Sequence, residues 1–349
     1  MTLENHLRRI AFGDAGESAA TPDHRIAGMA SDARTDRERW LAAVALGARG
    51  RYAAATTLLR RLRRSRDVVV ASLAASTIAS HRRQLGGHAA ALPADGAALA
   101  AVAGLPLAPS VHGVPAGGDA DGTASGPGPT DGKATNGKAT DGTATDVPGT
   151  GGTGATGIGA DVDGVDVAGA WADALLGLAA DQLALGRPAL ARRLVGEVTA
   201  GLDAAFGEGG GSVRSRVRAA WVGTEAALAG GDPATAVASA EAALRLLGSG
   251  AGARPVRHRT KTELVLAAAL LAAGADPARP AELVTAALTV IDTHGFASLS
   301  WPARLLAADT DPANADEHRL RATREVHALL RRVDPELRRL AVESPWVPV

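Results

Sequence analysis

A short motif recurs down the chain: a glycine, two residues, then Ala-x-Ala or its equivalent opening a new apolar run. It reads Gly50-Arg51-Tyr52-Ala53-Ala54-Ala55, Gly86-Gly87-His88-Ala89-Ala90-Ala91, Gly186-Arg187-Pro188-Ala189-Leu190-Ala191 and Gly231-Asp232-Pro233-Ala234-Thr235-Ala236, with a degenerate fifth copy at Gly274. Each glycine closes an apolar stretch of helical period, and glycine ends a helix in a left-handed turn without steric cost. Repeated helix-turn-helix pairs are the economical solution. Apolar residues make up 46% of the chain but aromatics only 3%, so Ala, Leu and Val must build the core. Small side chains suit closely packed helices, and an all-α fold is expected.

The spacing of the motif locates an insertion. Gly50 and Gly86 stand 36 residues apart, whereas Gly86 and Gly186 stand 100 apart. Between Leu105 and Ala168 the composition turns to Gly, Thr, Asp and Ala, with eight Asp against two Lys. Such a stretch has few large apolar side chains to offset the entropy of ordering, so it is expected to be disordered. Excising its 64 residues restores a spacing of 36, as an insertion between two repeats would. The expected organisation is a loosely held arm over 1–35 that opens with a short helix from Thr2 to Ile10, repeats over 36–104, the insert over 105–168, repeats over 169–294, and a capping hairpin with a tail over 295–349. Trp346 is expected to fold back. Helix starts are expected at Asp36, at Ser212, at Asp232 with Pro233, and at a capping box of Thr260 with Glu263. Pro93 is expected to weaken its helix or delay its start.

Bulk chemistry excludes several functions. The formal charge is zero, unlike that of a general nucleic-acid binder, and there is no cysteine for disulfides, thiolate metal sites or thiol catalysis. The longest apolar stretch, Leu264 to Ala273, is about half a membrane span. No signal-like run opens the chain, and a cytoplasmic protein is expected. Gly152 to Gly157 fits a dinucleotide-binding spacing, but no strand precedes it. Gly132 to Lys138 has phosphate-loop spacing but ends at Ala139 where a hydroxyl belongs. Asp161, Asp163 and Asp166 lack the glutamate that closes a calcium loop and read as a solvated acidic linker. Neither a metal site nor a catalytic constellation emerges, and no cofactor is expected.

A small residue seven before each glycine (Ala43, Ala79, Ala179, Thr224, Ala267), an Ala five after it (Ala55, Ala91, Ala191, Ala236) and a small or apolar residue twelve after it (Leu62, Ala98, Val198, Ala243) resemble the tetratricopeptide repeat. The usual early aromatic and terminal proline are missing. The later spacings of 45 and 43 also exceed the family's about 34, so another helical-hairpin repeat satisfies the same register. The resemblance implies an α-α superhelix of about five to six hairpins. It further implies a non-enzymatic interaction scaffold or adaptor for proteins or peptides, with a sensory or regulatory module of a transcription or signalling system as the alternative. In that family's geometry Arg83, Trp221 and Glu225 face the inner groove and are candidates for partner binding. The cluster Arg60, Arg61, Arg63, Arg64 and Arg66 reads first as a solvated helix face and second as a docking surface for an acidic partner.

Overall fold

The structure, a computed structural model, describes residues 1–13, 21–108, 161–248 and 255–349. Most of the glycine-rich insert, with both nucleotide-like motifs, lies outside these residues. Among the described residues all regular structure is helical. Helices α1 (Leu3–Phe12) and α2 (Asp23–Asp32) precede six hairpins. These are α3 (Asp36–Ala48) with α4 (Tyr52–Leu62), α5 (Val68–Gln84) with α6 (His88–Val102), and α7 (Val167–Ala184) with α8 (Pro188–Phe206). Then come α9 (Val213–Ala229) with α10 (Pro233–Leu246), α11 (Val256–Ala272) with α12 (Ala278–His294), and α13 (Ala297–Thr310) with α14 (Ala315–Leu330). A last helix, α15 (Pro335–Glu343), follows.

The glycine junctions share one geometry. Gly50, Gly86, Gly186, Gly231 and Gly274 all have φ between 65 and 76°. In each case the N–H after the glycine donates to the carbonyl five residues back: Arg51 to Leu46, Gly87 to Arg82, Arg187 to Gln182, Asp232 to Ala227 and Ala275 to Leu270, at 2.9–3.1 Å. The glycine N–H donates to the carbonyl three back, completing a Schellman closure that satisfies the orphan carbonyls of the first helix. The register read from the sequence is equally physical. Ala43, Ala79, Ala179, Thr224 and Ala267, and likewise Ala55, Ala91, Ala191 and Ala236, have no solvent exposure. These are the places where helices approach too closely for a larger side chain.

The first helices of the hairpins form an inner set. Each of α3, α5, α7, α9, α11 and α13 packs against the next, and α13 returns to pack against α3. Cross-links between equivalent positions set these helices side by side and parallel. Arg257 and Ser298, each second in its helix, are hydrogen-bonded at 3.1 Å. The outer layer closes as well. Tyr52 is buried with Val326, Leu329, Leu330 and Leu337, the Ala53 N–H donates to the Arg332 carbonyl at 3.0 Å, and α15 packs on α5. The C-terminal hairpin and α15 therefore pack back on the first two hairpins.

Several local expectations shift. Thr35, not Asp36, caps α3, in a capping box with Glu38, while Asp36 accepts from the Ser65 hydroxyl and pairs with Arg39. Thr260 and Glu263 form no capping box because α11 already starts at Val256, behind Pro255. The Thr260 hydroxyl donates to the Val256 carbonyl, and Glu263 pairs with Arg259. Ser212 and Asp232 cap as expected, and Pro93 lies inside an unbroken α6. Trp346 is 67% exposed, and Val347 is buried in its stead. The arm carries α1, whose Leu7 and Ile10 recur at helical spacing and are buried against the inner helices. Asp161 and Asp163 are no solvated linker: both accept from the Arg8 guanidinium, at 3.1 and 2.9 Å, and Asp166 caps α7.

Candidate functional site

The inner helices surround a cavity of about 410 Å³. Its wall comes from α5, α7, α9, α11 and α13, with His88 from the start of α6. A smaller void of about 70 Å³ shares Ser80, Gln84, Arg218 and Arg257 with it and extends toward Phe12 and His258. Helix α1 lies across that end, packed on α3 and α11, with the Gly13 carbonyl accepting from the Val256 N–H at 2.7 Å. Phe12 stands 6.3 Å from Trp40 and 6.4 Å from His258, and His258 stacks on Trp221 at 5.4 Å. An aromatic layer thus separates the cavity from the α1 end.

Polarity is ordered along three of the inner helices. On α9 Arg218 precedes Trp221, Val222 and Leu228; on α11 Arg257 and Lys261 precede Leu264, Val265 and Ala268; on α13 Ser298 precedes Pro302 and Leu306. Arg218, Arg257, Lys261 and Ser298 thus fall on the N-terminal halves of these parallel helices, toward α1, while the C-terminal halves of α11 and α13 are apolar; Glu225 on α9 and Arg83 at the end of α5 add charge farther along.

Three groups of charges meet this space. Arg83 donates to Asp95 and, at 3.4 Å, to Asp181, with His88 3.5 Å from Asp181. Burial holds the Asp95 carboxyl above the usual carboxylate range even with Arg83 opposing it. Asp173 accepts from Arg214 and, at 2.8 Å, pairs with Arg218. Burial pushes this carboxyl up, but the two guanidiniums pull it below its ordinary value. The third group is unbalanced: neither Arg257 nor Lys261 has a carboxylate within ion-pair distance among the described residues. Arg257 donates to the Ser298 hydroxyl, and its Nε has no partner. The Lys261 ammonium lies 4.4 Å from the centre of the Trp221 ring, a cation–π contact. Burial pushes Lys261 down to about 8 against the pull of Glu225, and Arg218, Arg257 and Arg83 press in the same downward direction.

Two histidines line the smaller void. The His81 ring lies tilted against Tyr52 with centroids 4.6 Å apart, and burial pushes it down to about 3, helped by Arg257. Burial and four surrounding cations hold His258 well below its usual range.

Of the residues singled out in the sequence, Arg83, Trp221 and Glu225 all line this one cavity. Their states differ. Arg83 is neutralised by two carboxylates. Trp221 is only 4% exposed and donates its indole N–H to the Thr262 hydroxyl at 2.8 Å, so much of it is structural. Arg218, Arg257 and Lys261 were not singled out. One signal stood in the sequence: Lys261 is the sole lysine outside the insert, which holds Lys133 and Lys138. The surface arginines lie apart from the cavity; Arg60 approaches Asp334 and Glu336 at 3.6 Å, while Arg61, Arg63, Arg64 and Arg66 are exposed.

Comparison with known proteins gives no match among protein-family models, curated proteins or solved structures. No helix among the described residues is long and apolar enough to cross a membrane.

Proposed function

We propose that the protein is a non-catalytic regulatory module, a closed ring of tetratricopeptide-like hairpins that takes a small molecule into its lumen and shows its outer helices to a protein partner. The observation that carries this reading is the half-open cavity that the inner helices form. With α13 against α3 and α1 across one end, the groove that an open superhelix offers to a peptide is occupied by the chain itself. What remains is a cavity of about 410 Å³, the size of a metabolite site. The alternative sensory role therefore takes precedence over the plain adaptor. The exposed arginines of α4 and the turn after it keep a place for the adaptor role, as a surface for an acidic partner outside the ring.

The test is thermal unfolding of the full chain against a mixed panel of small acids, amines, alcohols and sugars, followed by tryptophan emission. Ligand at about a hundred times its Kd should add ~2.7 kcal/mol of stability. At least one class should raise Tm and shift emission, and the emission response should be lost in Trp221→Phe. A panel that moves neither signal at millimolar concentration would overturn the proposal.

A further inference from the structure

Within the lumen reading, the placement of charge goes further and selects a ligand class. We infer that the cavity binds an amphipathic small organic acid, its carboxylate or phosphate end held by Arg257, Lys261 and Arg218 and its apolar body along α11 and α13 toward Leu306. This rests on the small-molecule role proposed above and specifies the chemistry that fits it.

The first argument is the charge count. Arg83 and Arg214 are met by buried carboxylates, and Arg218 shares Asp173 with Arg214. Among the described residues Glu225, one turn beyond Trp221, is the carboxylate that faces Lys261 across the cavity, and none pairs with Arg257. Placing partly buried cations side by side without counter-charge is costly, and such groups normally pair. A bound anion supplies the missing charge, and the Arg257 Nε that lacks a partner supplies a donor for it.

The second argument is the polarity gradient. The cations lie on the first two turns of α9 and α11, beside Ser298 on the first turn of α13, where the positive ends of three parallel helix dipoles converge. Farther along the same helices the wall is Leu264, Val265, Pro302 and Leu306. An inorganic ion would leave that wall unused, and a neutral lipid would leave the cations unpaired. An acid with an apolar tail satisfies both. The aromatic layer behind Lys261 sets the depth to which the acid end can travel.

The experiment is calorimetric titration and Tm measurement on the full chain with four matched probes below their micelle concentrations: decanoate, decyl phosphate, decanol and decylamine. Decanoate or decyl phosphate should bind and raise Tm. The stronger of the two identifies the acid group as carboxylate or phosphate. Decanol and decylamine should bind at least about tenfold more weakly, a difference of ~1.4 kcal/mol. Arg257→Gln and Lys261→Met should each weaken the acid by about tenfold or more, as loss of a charge-assisted contact does. Lys261→Met should unfold no earlier than the parent when unliganded, because it removes a buried cation, so a lost response there is not a lost fold. Equal binding of decanol and the acids, or acids that bind both variants as they bind the parent, would overturn the acid inference and leave the lumen reading standing. Binding of none of the four, joined to a silent mixed panel, would overturn both.

Discussion

A β-carbon at position 47 would lie 2.4 Å from Nε2 of His81, and one at position 177 would lie 2.4 Å from the Asp95 carboxylate. These helical glycines are absences required by a neighbour. At Gly196, inside α8, a β-carbon would meet nothing within 4 Å. The same substitution should thus have opposite signs. Gly196→Ala should stabilise by about 0.5–1 kcal/mol through helix propensity. Gly47→Ala should destabilise by about 1–3 kcal/mol through overpacking, as measured by urea unfolding. The histidines set a second residue-scale outcome. His81 is held at about 3 in the fold against an ordinary 6.5, so the unfolded chain takes up its proton first as pH falls. Stability contributed by its neutral form is complete above pH 6.5 and declines toward pH 3, by about 1.4 kcal/mol per pH unit for one imidazole. Carboxylates and His258 add their own acid dependence. The variant His81→Gln isolates one proton: its slope of stability against pH between those limits should be shallower than the parent's by that amount, and equal slopes would place His81 in water.

Among the elements, α1 differs most from its reading as a loose arm. Leu7 has no exposure, and Arg8 ties α1 to Asp161 and Asp163, at the far end of the insert in sequence. Leu7→Ala should cost about 2–5 kcal/mol, a loss expected of a core position and not of a tail. Amides of α1 should exchange at rates close to those of α3, on which it packs. The sequence made α3 to α12 legible because their signals are local. A Schellman glycine, an Asp or Ser cap and an Ala at every close approach each act within a few residues or across one hairpin. Helix α1 was legible as a short helix over Thr2 to Ile10, but its burial was not: its apolar face, Leu3, Leu7 and Ile10, is short and followed by glycines, and the residues that cover it, Ile26, Trp40, Leu41 and Val165 among them, come from several later elements. The capping box at Thr260 misled for the converse reason: local spacing was right, but the helix had already begun a turn earlier.

At the scale of the whole molecule, closure is the feature the sequence concealed. It depends on contacts between elements far apart in sequence, α13 with α3 and α15 with α5, and no local residue pattern announces them. The cationic level of the cavity was hidden too, since arginine is abundant everywhere in this chain and only the packing of α9 on α11 sets Arg218 beside Arg257 and Lys261. Closure has an energetic consequence. In an open array the loss of an end repeat removes one nearest-neighbour interface. Here, truncation after His294 removes α13 to α15 and with them the partners of Tyr52 in α4 and of Leu85 after α5. Urea unfolding of the truncated chain should therefore lose stability at both ends together, with α4 and α12 amides losing protection alike; loss confined to α12 would mark an open array. The direct measurement uses a chain that has no cysteine of its own. Arg60 and Glu336, whose side chains approach to 3.6 Å, are replaced as Arg60→Cys and Glu336→Cys and treated with a short bis-maleimide in dilute solution. Rapid intramolecular linkage in the monomer is the result expected of a ring whose last repeat meets its first, and a monomer that stays unlinked while each cysteine alone is modified would contradict it.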